Sequence, residues 1–166
     1  MKTLIKKILK EEIDKSLISR ISANDKTHIS KGDNLKFKNV PTNEQQIHFK
    51  PKGLWFSFGT EWIDFVERAL FTREEVSDML QHVYDIKTND SKILTIGMEN
   101  ESLFLETYGV ENDSDMMDVD WEKVASDWSG VEILINPREL NERWLWSTWD
   151  IPSGCIWDIS GIKSIT

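Results

Sequence analysis

The apolar positions of this chain change period along its length. In MKTLIKKILKEEIDK, Leu4, Ile5, Ile8, Leu9 and Ile13 recur at helical spacing between lysines and glutamates, which predicts an amphipathic N-terminal helix over 1–16. LISRIS (17–22) alternates instead and predicts a short strand, with Ile18, Arg20 and Ser22 on one face. Residues 23–34 are polar and turn-rich, and LKFKNV, ended by Pro41, is a further candidate strand. After the turn signal Pro51-Lys52-Gly53, LWFSF alternates again, placing Leu54, Phe56 and Phe58 on a core face and Trp55 and Ser57 on the other. Gly59 breaks that strand, and Thr60 is a good cap for a helix in which Trp62, Phe65, Val66, Ala69 and Leu70 face inward. Thr72 and Glu75 form a capping box ahead of Val76, Met79, Leu80 and Val83, predicting a second helix.

The second half reads mainly as strands. KILTI (92–96), SLFLETY (102–108) and VEILINP (131–137) are predicted strands, as are ELNERWLWSTWD and SGCIWDIS in the last thirty residues. Between them the acidic run ENDSDMMDVD (111–120) predicts a loop, and DWEKVASDW a short helix capped by Asp120. Helices early and in the middle, with strands late, predict an α+β class: one domain over 17–166 with a mostly antiparallel, split sheet.

Composition narrows the function classes. A length of 166 residues suits one domain with a real core, and eight tryptophans supply either core area or a ligand surface. The net charge of −9 argues against a general nucleic-acid binder, although residues 1–31 carry a local +4 and residues 99–127 a local −9. A single cysteine forms no internal disulfide and fits a reducing, cytoplasmic setting. No apolar run approaches the ~20 residues of a membrane span, and the lysine-interrupted N-terminus does not read as a signal peptide.

Candidate chemistry is sparse. The acidic run fails as a calcium loop, since Asp118 falls where glycine is required and Val124 where glutamate is required. His28, His48 and His82 are far apart in sequence, and one cysteine gives no zinc signature, so no metal is implied. Cys155, in GCIWDI, reads as a buried structural thiol. Trp144, Trp146, Trp149 and Trp157 have two readings, a sugar-stacking platform or core packing, with packing favoured. Glu132 has two as well: a carboxylate on a solvated strand face, or a catalytic group at the rim of a cleft.

GLWFS followed by a helix, with a later strand carrying Glu132, resembles the ADP-ribosyltransferase superfamily of poly-ADP-ribose polymerase-like enzymes and bacterial toxins. That resemblance, over about 17–136, implies an ADP-ribosyltransferase-like fold with an Arg or His on an early strand, an aromatic or Ser/Thr motif on a middle strand and a Glu on a late strand. It implies NAD+ as substrate, cleavage of the nicotinamide–ribose bond, and transfer of ADP-ribose to an unidentified macromolecular acceptor. Glu132 would be the catalytic carboxylate; Arg20, Trp55, Ser57 and Thr60 would hold NAD+, with His28 and His48 competing with Arg20 for the early-strand place. The sequence departs from the family at Trp55, where tyrosine is usual, and at Gly130, where arginine-modifying members have an acid or Gln. A non-enzymatic Trp-rich module for carbohydrate or protein, and a structural or host-interaction protein docking through its N-terminal helix, stand as alternatives.

Overall fold

The computed structural model describes residues 21–30, 35–69 and 82–166. The N-terminal helix, Arg20 and the helix expected after Thr72 lie outside the described residues, apart from Val83 at the end of the latter.

Ten strands are described: β1 (Lys26–Ser30), β2 (Ile47–His48), β3 (Leu54–Phe58), β4 (His82–Thr88), β5 (Ile93–Ile96), β6 (Gly109–Glu111), β7 (Met117–Asp120), β8 (Gly130–Ile133), β9 (Ser153–Ile156) and β10 (Ile162–Ile165). Four α-helices accompany them: α1 (Glu61–Arg68), α2 (Glu101–Tyr108), α3 (Trp121–Asp127) and α4 (Arg143–Ser147). Seven strands form one sheet in the order β10-β4-β1-β3-β9-β8-β5, and β2-β7-β6 form a small second sheet. All described pairings are antiparallel except β5 with β8. The class is α+β, in a single sheet-rich domain.

The large sheet curls. Ile162 of one edge strand and Ile93 of the other pack into a single apolar cluster with Phe56, Ile86 and Ile156. A flat sheet would hold its edges six strand spacings apart, about 29 Å. Asn89 N–H donates to Gly161 O and Ser129 N–H to Lys92 O, which ties the segments beside those edges together. The convex face carries Trp55, Val131, Ile133 and Cys155; α2, α3 and α4 cover it with Phe104, Trp121, Leu145 and Trp146, and the turn after α4 adds Trp149.

That helix-covered face accounts for most of the tryptophan. Trp121, Trp146, Trp149 and Trp157 are buried, and each indole N–H finds an acceptor: His48 O, Glu101 Oε1, Phe49 O and Trp128 O, at 2.9, 2.8, 3.1 and 2.7 Å. A buried indole needs such a partner. Of the proposed sugar platform, only Trp144 is exposed, at 60%.

Several expectations are corrected. SLFLETY is the helix α2 rather than a strand, because Glu101, Phe104 and Tyr108 are its buried residues, at helical spacing, while Leu103 points to solvent. ELNERWLWSTWD forms a 3-10 turn's end and α4, burying Leu145, Trp146 and Trp149. The polar stretch 23–34 contains β1, and LKFKNV is an unpaired strap rather than a strand. The acidic run contributes β6 and β7 at its ends. Trp62 is 39% exposed; Val66 is buried beneath α1 as expected, and Ile63 takes the core place expected of Trp62. The strands at Leu54–Phe58, Ile93–Ile96, Gly130–Ile133 and Ser153–Ile156 and the helix after Asp120 are as expected, and Asp120 Oδ1 accepts from Lys123 N–H at 3.1 Å.

Candidate functional site

Strand alternation and register decide which candidates share a face. Glu132 pairs with Gly154, Gly154 with Phe56, and Glu132 with Thr95 across β5. Glu132 therefore lies on the concave side, with Phe56 and Ile156. Trp55 pairs with Cys155, which pairs with Val131, so its indole lies on the convex side, edge-on to Trp149 with ring centroids 4.9 Å apart. Ser57 shares the Trp55 side, is 3% exposed, and its Oγ has no hydrogen-bond partner. The expected convergence of Trp55 and Ser57 with Glu132 is thus corrected: successive strand residues point to opposite faces, and the sheet stands between them. Thr60 heads α1, but its hydroxyl donates to Asp64 Oδ2 at 2.9 Å and makes no cap bond to the backbone.

Glu132 is 6% exposed, so neither the solvated reading nor a rim position describes it. Its Oε1 accepts from Thr95 Oγ1 at 3.1 Å, and its Oε2 lies 2.7 Å from Lys26 Nζ. The Lys26 contact is charge against charge, off the hydrogen-bonding direction, and Oε2 has no aligned donor. Lys26 itself donates to Thr88 Oγ1 at 2.6 Å and stands 3.7 Å from Asp90. The Phe56 and Phe58 rings flank its ammonium at 5.6 and 6.0 Å. The hydrogen bond from Thr88 holds the Asp90 carboxyl below its ordinary value; desolvation opposes it and the Lys26 charge adds to it. Asp90 is the exposed member, so the buried pair meets water on its side.

Gly154 makes room for this arrangement. A Cβ there would collide with the Phe56 ring and come within 2.7 Å of Val131 O. Without it, the Phe56 ring lies over Gly154, beside the Lys26 ammonium.

His28 is on β1, in the strand beside Trp55, and its Nδ1 is 2.6 Å from Trp55 O. A carbonyl only accepts, so Nδ1 carries the hydrogen and donates. His28 is two residues from Lys26 on the same strand and thus on the concave side. His48 lies on the small sheet, where its Nδ1 accepts from Lys50 N–H at 3.3 Å. Of the candidates for the early-strand place, His28 is the one next to the middle strand; Arg20 lies outside the described residues.

Pairing of β1 with β4 also sets His28 opposite Tyr84 and Ser30 opposite His82. Both imidazoles stand 6.5 Å, centroid to centroid, from the Tyr84 ring. Sequence reasoning missed this row and missed Lys26. Alternation of Lys26, His28 and Ser30 within KTHIS was the available signal, but it shows only once 23–34 is read as containing a strand. Cys155 is fully buried, and desolvation pushes its thiol well above the ordinary range, in keeping with a structural role.

Among the described residues, no group of three or more His, Cys, Asp or Glu is placed to hold a metal ion, and no helix is long and apolar enough to cross a membrane. No family model, curated protein or solved structure matches the chain.

Proposed function

We propose that the protein is an NAD+-dependent ADP-ribosyltransferase-like enzyme in which Glu132 is the catalytic carboxylate. The observation that carries this reading is the buried Glu132 carboxylate, held by Thr95 at Oε1 and ion-paired with Lys26 at Oε2, on the face of the sheet shared with His28. Strand order supports it: the strands bearing His28 and Trp55 are neighbours, and the strand bearing Glu132 is one beyond β9.

In this reading the bond between nicotinamide and ribose C1′ breaks, and its electron pair leaves on the nicotinamide nitrogen. Positive charge develops on the ribose, and a fixed carboxylate nearby lowers that barrier. Glu132 Oε2 accepts a ribose hydroxyl, while Thr95 holds Oε1. The acceptor's nucleophile then forms the new bond to C1′ and releases its proton to water. His28, with Nδ1–H fixed on Trp55 O, offers Nε2 as an acceptor toward the ligand. Trp55 acts through its backbone carbonyl, since its ring packs on the other face.

Incubation of the full chain with NAD+, with free nicotinamide followed by chromatography, tests the reading. Enzyme-dependent nicotinamide release is expected; no release, with or without candidate acceptor proteins, would sink it. The sugar platform has less support, because Trp146, Trp149 and Trp157 are buried.

A further inference from the structure

Residues 35–40 run as a strap over the mouth of the curled sheet. Leu35 N–H donates to Tyr84 Oη at 3.3 Å, and Val40 N–H to Trp157 O at 2.8 Å. Asn39 accepts from Ile159 N–H at 2.9 Å and donates to Asp158 at 3.1 Å. Phe37 packs inward against the cluster of Phe56, Ile86, Ile93 and Ile156. Between the strap and the start of β3 lies an open cavity of about 300 Å³, lined by Lys36, Lys38, Val40, Glu44, Gly53 and Leu54 among others.

Charge distinguishes this cavity. Residues 35–54 carry four lysines and one glutamate, in a chain with a net charge of −9. Alternation along the extended strap half-buries Phe37 and turns Lys36 and Lys38 outward, where both are exposed. Neither ammonium has an ion-pair or hydrogen-bond partner among the described residues, whereas Lys26 and Lys87 do. Two unpaired cations at one cavity on an acidic protein attract an anion. The volume is at the lower end for small-molecule sites, which suits part of a nucleotide rather than a whole dinucleotide.

Register relates the cavity to Glu132. Leu54 pairs with Ile156, and Phe56, two residues on, pairs with Gly154, the neighbour of Glu132. Leu54 in the cavity wall is therefore on the same face as Glu132, one side-chain row along and two strands across, roughly 12 Å away.

We propose that this cavity is a binding site for the phosphates of a nucleotide, held by Lys36 and Lys38. The nucleotide's identity as the ADP part of NAD+ rests on the function proposed above; the anion site does not. Glu44, the one acid in its wall, weakens the site and sets its selectivity against more highly charged ligands.

Amide chemical-shift titrations of the full chain with inorganic pyrophosphate, ADP-ribose and adenosine test this. Saturable shifts at 36–40 and 53–54 are expected with pyrophosphate and ADP-ribose and not with adenosine. Lys36→Gln/Lys38→Gln should weaken ADP-ribose about tenfold, or ~1.4 kcal/mol, and Glu44→Gln should tighten it. Unmoved amides, or an unchanged affinity in the double variant, would overturn the proposal. Nicotinamide release without these shifts removes the cavity and leaves Glu132 standing; the shifts without release keep the anion site and remove NAD+ from it.

Discussion

Lys26 Nζ lies 2.7 Å from Glu132 Oε2, joining β1 to β8 across the two strands between them. Both side chains are largely buried, so each charge depends on the other. Breaking a buried pair from one side leaves an uncompensated charge and costs about 3–5 kcal/mol. Lys26→Met should therefore be strongly destabilising in urea denaturation. Lys26→Met/Glu132→Leu should recover most of the loss, since an apolar pair of similar volume is often neutral. A loss in the double variant equal to the sum of the Lys26→Met and Glu132→Leu losses would show that the two groups are not coupled.

Gly154→Ala is expected to cost about 1–3 kcal/mol or more, because the new methyl meets the Phe56 ring and the Val131 carbonyl. Adding Phe56→Leu should return part of it, since one of the two obstacles is then smaller. Thermal unfolding of the three variants checks this, and an additive result would contradict the close contact.

Glu101 is 1% exposed and accepts from Asn141 N–H, Asn141 Nδ2, Glu142 N–H and Trp146 Nε1 at 2.8–2.9 Å. Burial alone pushes its pKa up, but these bonds outweigh burial and hold the carboxyl below its ordinary value. A depressed folded-state pKa means that the unfolded chain binds the proton more readily. The stabilisation is present above an unfolded pKa of about 4.3 and is lost as pH falls through the lower folded value. Glu101→Gln should flatten the pH dependence of stability in that acid window, measured by denaturant midpoints between about pH 3 and 6.

Trp144→Ala should change stability by no more than about 0.5 kcal/mol, as for other exposed positions. Trp146→Ala should cost about 3–5 kcal/mol, because it empties core volume and removes a donor from Glu101. Comparable losses at the two positions, by thermal unfolding, would contradict the division between covered and exposed indoles.

Local pattern carried the parts of the fold that local physics decides. LWFSF alternates because one strand separates two apolar clusters, and Asp120 was readable as a cap because its carboxylate meets Lys123 N–H. SLFLETY and RWLWS misled because exposed Leu103 and Trp144 mimic strand alternation, while the buried residues follow helical spacing. Of the candidate site, His28, as one of three competitors for the early-strand place, and Glu132 were legible in the sequence. The Lys26 partner of Glu132 and the His28–Tyr84–His82 row depend on pairings between strands distant in sequence, which no short window contains. The sequence placed Trp55 and Ser57 with Glu132 by chain order, and register along β3, β9 and β8 separates them.

Under the proposed function, Glu132 acts on NAD+ as well as pairing with Lys26 across the sheet. The direct test of that action is nicotinamide release by the wild type, Glu132→Gln and Lys26→Met, each normalised to its folded fraction by circular dichroism. Folded Glu132→Gln is expected to lose at least about 100-fold in turnover, the size seen when one group stabilising transition-state charge is removed. Folded Lys26→Met should keep measurable turnover. Equal activity per folded molecule in the wild type and Glu132→Gln would contradict the claim and leave Glu132 as a structural partner of Lys26.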